Sequence, residues 1–142
     1  MSLGTVFRDP WLYAALVAAL PVYLGLHLLG VGSGPTPALA AVLMVVVVYP
    51  VLEEWCFRGL IQPWLLHRTA GRCWGPVTLA NVITSALFAA AHLLRLEPLV
   101  AAWLVFPSLV FGALRDRHGR LTGALVTHSA YNLGFVVLFG FQ

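Results

Sequence analysis

Five apolar runs fill most of the chain: Trp11–Gly30, Pro37–Leu66, Pro76–Leu94, Pro98–Leu114 and Leu121–Phe141. A membrane-crossing helix needs about 20 mostly apolar residues, and these runs are on that scale. The connections between them are short and carry helix breakers: Val31-Gly-Ser-Gly-Pro35, His67-Arg-Thr-Ala-Gly-Arg72, the turn from Arg95 to Pro98, and Arg115-Asp-Arg-His-Gly-Arg120. None is long enough to separate domains, and there is no internal repeat. Composition points the same way, with 61% hydrophobic and 9% charged residues against about 45–50% and about 25% in a soluble domain. So few charges cannot cover a water-exposed surface, so the apolar surplus faces lipid. The expected fold is all-α, a polytopic membrane helix bundle of about five transmembrane helices, some kinked, with residues 1–142 forming one domain. The first run is longer than the apolar region of a cleavable signal, about 7–15 residues, and contains Pro21 and His27, so it reads as a membrane helix.

All eight basic residues are arginine. They sit in short clusters between apolar runs rather than in a basic stripe, which excludes nucleic acid as a partner and leaves the lipid bilayer. Arg8, the Arg68/Arg72 pair and the Arg115/Arg117/Arg120 cluster fall on one side of a five-span topology. The other side has Arg95, offset by Glu97, and an uncharged first loop. The positive-inside rule then puts the N-terminus in the cytoplasm and the C-terminus outside. Cys56 and Cys73 have no metal-type spacing and read as free thiols. The second run is too long for one span, since 30 residues would make about 45 Å of helix against a hydrocarbon core of about 30 Å. Pro50 and Pro63 offer kinks or breaks, and the stretch after Pro63 is expected along the interface, anchored by Trp64 and Arg68.

Polar side chains inside these runs need an explanation. Glu53-Glu54-Trp-Cys-Phe-Arg58 places three ionisable groups where each costs about +2.5 to +3.5 kcal/mol at the centre of a span. Glu54 and Arg58 are four apart, share a helix face and can pair. Glu53 is rotated by about 100° from Glu54 and has no partner on its own helix, a position that suits a general base. His92 closes Phe88-Ala-Ala-Ala-His92, and Phe88 and His92 share a face. His128 and Asn132, again four apart, can aim two hydrogen-bond donors at one point, as an oxyanion hole requires. The plain alternatives are a packing network for the charges and an interhelical clasp for His128 and Asn132, worth about 0.6 kcal/mol per bond. Counted inward along ideal helices, Glu53 lies about 22 Å from Arg68, His92 about 25 Å from Gly75, Asn132 about 18 Å and His128 about 12 Å from Arg120. Glu53, His92 and Asn132 are thus expected at one depth and His128 lower.

The set holds a base, a water-positioning partner and oxyanion donors, which are the parts of peptide hydrolysis. Ser129 adjoins His128 but cannot face it on a helix. The zinc-protease motif His-Glu-x-x-His is absent, although a glutamate with two histidines also suits zinc. Glu53-Glu54-x-x-x-Arg58, Phe88-x-x-x-His92 and His128-x-x-x-Asn132 resemble, in order and approximate spacing, the three motifs of the CAAX-protease and bacteriocin-processing (Abi) intramembrane proteases, over about residues 40–140. The resemblance implies a glutamate-type endopeptidase in which Glu53 and His92 activate water, His128 and Asn132 stabilise the oxyanion, and Glu54 with Arg58 supports the site. It implies no cofactor, with zinc the open alternative. The implied partner is a membrane-anchored protein or peptide cut near its C-terminus, and the implied home is a bacterial or archaeal cell membrane. The chain is short for that family, and compact relatives look like sorting enzymes that remove a C-terminal anchor.

Two other functions fit parts of the pattern. A non-catalytic membrane protein, such as a bacteriocin-immunity factor or assembly partner, would use the same residues for packing. A small transporter would use the buried carboxylates as a proton path, but no inverted repeat is visible.

Overall fold

The computed structural model describes residues 3–35 and 37–140. It is a bundle of five principal helices: α1 (Pro10–Leu28), α2 (Leu39–Arg68), α3 (Leu79–His92), α4 (Pro98–His118) and α5 (Thr122–Phe139). A short helical turn, Leu3–Val6, precedes α1. Leucine and valine point outward while charge is sealed within: Leu94 is 89% and Leu28 75% exposed, whereas Glu54, Arg58, Gln62 and Asn81 are each 0% exposed. Water would favour the reverse arrangement, so the outer face is a lipid face.

Among the described residues, four helices are long and apolar enough to span a bilayer: α1, α2, α4 and α5. The third sequence run is trimmed at both ends. Cys73–Trp74 (β1) pairs antiparallel with Val77–Thr78 (β2) around Gly75, whose φ is 58°, so Pro76 belongs to a hairpin. Thr78 then caps α3, its Oγ1 accepting from Asn81 N–H at 3.0 Å. With 14 residues, α3 is about 21 Å long, short of the hydrocarbon thickness of about 30 Å. The end of the fifth run, Phe141, lies outside the described residues.

The two prolines of α2 do not break it. The helix runs from Leu39 to Arg68 and absorbs them in wide π turns at Met44–Val48 and Trp55–Ile61. Each proline lacks an N–H, so the carbonyl four residues earlier loses its usual donor. The π turns carry bonds to the fifth residue, such as Gln62 N–H to Phe57 O just before Pro63. The N-terminal half of α2 packs on α5 and its C-terminal half on α3, while α4 lies between α3 and α5. The core between α1, α4 and α5 includes Val22, Leu26, Phe111, Tyr131 and Phe139. Helix α4 approaches α3 at Gly112, where an added Cβ would lie 1.8 Å from Asn81 Oδ1. That amide donates to Leu109 O at 2.9 Å and accepts from Ser85 Oγ at 3.1 Å, so it cannot swing away without losing both bonds.

A second ionic cluster ties the chain's start to the end of α4. Asp9 caps α1 through Trp11 N–H at 3.0 Å and holds both Arg117 and His118, the latter at 3.0 Å. The Arg117 hydrogen bond, more than those from Trp11 N–H and His118, keeps the Asp9 carboxyl well below the usual carboxylate range despite its burial. A carboxyl whose folded value is depressed stabilises the fold above its unfolded value of about 3.9. That contribution is lost as pH falls through the folded value. Asp9→Asn should therefore lower the unfolding midpoint in detergent micelles at neutral pH. The gap to the wild-type chain should persist to about pH 4 and close under stronger acid. A gap independent of pH would show that the charge on Asp9 is not what matters.

Candidate active site

The packing of α2 against α5 brings four of the six sequence-selected residues into one network. Glu54 and Arg58 pair as their spacing requires, with Oε2 and Nε 3.6 Å apart and both side chains 0% exposed. The other Glu54 oxygen, Oε1, meets His128 Nδ1 at 2.9 Å. A carboxylate facing a guanidinium is an acceptor, so Nδ1 carries the proton and donates it. His128 Nε2 then faces Glu53 Oε2 at 3.6 Å. Glu53 therefore has the partner from another helix that it lacks on its own. Its side chain stays 29% exposed, the most open of the four.

Aromatic rings hold these groups in place. Phe111 of α4 stacks on the His128 ring, with centroids 4.6 Å apart and planes at 15°. Phe88 of α3 sits between the two histidines, 4.6 Å from His92 and 5.9 Å from His128. The same ring lies 5.2 Å from the Arg58 guanidinium carbon, a cation–π contact in a dry site. His92 is half-buried, and its Nδ1 lies 2.8 Å from Phe88 O. A carbonyl can only accept, so Nδ1 donates and the Nε2 lone pair is left to act on a ligand. Asn132 is drawn the other way along α5, donating Nδ2–H to Val45 O at 2.8 Å. Its amide keeps a second N–H.

The expected depths need correction. His128, not Asn132, is level with Glu53 and Glu54, and Asn132 is level with Val45. A π turn holds more residues than an α turn and so climbs less per residue. The seven-residue segment Trp55–Ile61 therefore draws Glu53 nearer the Arg68 end than ideal helical rise implies.

Several contributors escaped sequence reasoning. Gln62 extends the four-residue series of Glu54 and Arg58, a legible signal masked by reading Pro63 as a break. Its Nε2 donates to Gly112 O at 3.0 Å and Asp116 Oδ1 at 2.8 Å, and Thr78 Oγ1 donates to Asp116 Oδ2 at 2.7 Å. Ser108 takes two hydrogen bonds from Arg58 Nη2, at Oγ (2.6 Å) and O (2.9 Å). Phe111 carried no signal, being one aromatic among many. Arg115 Nε donates to Arg58 O at 3.1 Å, adding a side-chain donor within the π segment.

The family described as Type II CAAX prenyl endopeptidase Rce1-like matches residues 35–134. No curated protein and no solved structure matches the chain. The matched segment covers well over half of the sequence and contains Glu53, Glu54, Arg58, His92, His128 and Asn132. By that match the chain belongs to the Rce1-like type II CAAX prenyl endopeptidases, a family of intramembrane proteases.

Proposed function

We propose that this protein hydrolyses a peptide bond near the C-terminus of a membrane-associated protein, with water as the nucleophile. The observation that carries this reading is Glu53 Oε2 facing His128 Nε2 at 3.6 Å, with His128 Nδ1 anchored on Glu54. With a second proton on His128, at Nε2, the imidazolium faces the Glu53 carboxylate as an ionic partner. In that state Glu53 is free to take a proton from water. The water oxygen attacks the carbonyl carbon, and the His128 Nε2–H and the second Asn132 N–H receive the developing oxyanion. Collapse breaks the C–N bond, and the proton held by Glu53 passes to the leaving amine. His92, with Nε2 left as an acceptor, orients the attacking water. Glu54 and Arg58 support His128 from the dry side.

The reading uses no cofactor. Zinc would need three ligands, and among the described residues no group of three His, Cys, Asp or Glu side chains is arranged to hold a metal ion. Both Glu54 oxygens are already engaged, by Arg58 and His128. The arginine-bearing ends of the helices face the cytoplasm. The family description favours a C-terminal peptide carrying a prenyl group. Removal of a C-terminal membrane anchor, a sorting reaction, is the second substrate class.

The test is cleavage by the purified protein in liposomes. The probes are a prenylated C-terminal peptide and an unprenylated peptide with a single transmembrane anchor, with mass spectrometry of the new termini. Cleavage of one, close to its C-terminus and undiminished by a chelator, is expected. Failure to cleave either, with the fold intact, would favour the non-catalytic packing reading.

A further inference from the structure

The buried network ends in α4 at a side chain that no motif marks. Ser108 is 0% exposed, and Arg58 Nη2 donates to its Oγ at 2.6 Å and to its carbonyl at 2.9 Å. Arg58 Nε and Nη1 are buried without a hydrogen-bond partner among the described residues, so the guanidinium is tethered at Nη2. A guanidinium is a rigid planar fork, and fixing one arm fixes where the others point. Here Nε points at Glu54 Oε2, 3.6 Å away. Glu54 then has one oxygen turned to a cation and the other turned to His128 Nδ1, so its rotation is set. The stack on Phe111 keeps the imidazole in plane, and Nε2 is left aimed at Glu53.

We infer that Ser108 is a positioning residue: its hydroxyl fixes Arg58, Arg58 fixes Glu54, and Glu54 sets the tautomer and aim of His128. The Ser108 carbonyl alone is a single anchor, about which the guanidinium can swing. The hydroxyl makes the second anchor and is the part that mutation can remove. The inference rests on the reading of Glu53 and His128 as a catalytic pair, so its test has one arm that needs no substrate.

Ser108→Ala removes one oxygen atom and Ser108→Thr keeps the hydroxyl. In liposomes, under conditions where the ring carries a single proton, nitrogen NMR of the His128 ring should show one tautomer, protonated at Nδ1, in the wild-type protein and in Ser108→Thr. A mixture is expected in Ser108→Ala. In the cleavage assay Ser108→Ala should lower kcat by about 10- to 100-fold, the scale for losing an outer-shell partner of a functional histidine. KM should stay unchanged, the unfolding midpoint should fall only modestly because the Ser108 carbonyl still holds Arg58, and Ser108→Thr should restore kcat. A single tautomer in Ser108→Ala overturns the inference, as does a mixed tautomer with wild-type kcat. If the wild-type protein cleaves no probe, the hydrolytic reading fails by itself, and the tautomer decides the role of Ser108 alone.

Discussion

Glu53→Gln should abolish most peptide hydrolysis, lowering kcat by about 10²- to 10⁴-fold, the range a general base contributes. The substitution keeps the shape of the side chain and removes its capacity to accept a proton. The fold should survive it. Glu53 is 29% exposed and lies 3.6 Å from His128, too far for a direct hydrogen bond, so an amide there strands no tightly bound partner. Thermal unfolding in detergent micelles, run beside the liposome assay, separates loss of chemistry from loss of structure. Full kcat in Glu53→Gln would remove Glu53 from the base role. It would also leave the buried charges to the packing reading.

Arg58→Met should act on the opposite property. Arg58 and Glu54 are each 0% exposed and face each other. Removing one partner of such a pair leaves an uncompensated buried charge and costs about 3–5 kcal/mol. Ser108 Oγ and O would also lose the donor they now share. The expected result is a large fall in unfolding midpoint, visible without any substrate. Arg58→Met combined with Glu54→Gln should recover part of it, because neither charge is then left alone in a dry site. A single variant that unfolds like the wild-type protein would mean that water reaches this pair and that the site is not sealed.

What could be read beforehand follows from where each signal resides. The Glu54–Arg58 pair was legible because helical periodicity alone puts residues four apart on one face. Membrane residence was legible because lipid reverses the usual sorting of charge and hydrocarbon. Other features depended on the hydrogen-bond ladder. Pro50 and Pro63 can kink, break or widen a helix, and sequence does not say which. The π turn at Trp55–Ile61 draws Glu53 part of the way toward the level of His128, and Gln62 stays on the Glu54 face. The start of α3 depended on Thr78, whose hydroxyl both caps the helix and binds Asp116. That role is invisible until the hairpin forms. Ser108 and Asp9 act on residues distant along the chain, Arg58 and Arg117, and nothing local marks either pair.

The most direct test of water attack from Glu53 is a single-turnover cleavage in liposomes with hydroxylamine present and solvent enriched in heavy oxygen. Water attack predicts a free carboxylate at the new C-terminus, one oxygen from solvent, and no hydroxamate. A hydroxamate would mean that an acyl-enzyme forms on a nucleophile such as Ser129 or Cys56, and would contradict the proposed roles of Glu53 and His128.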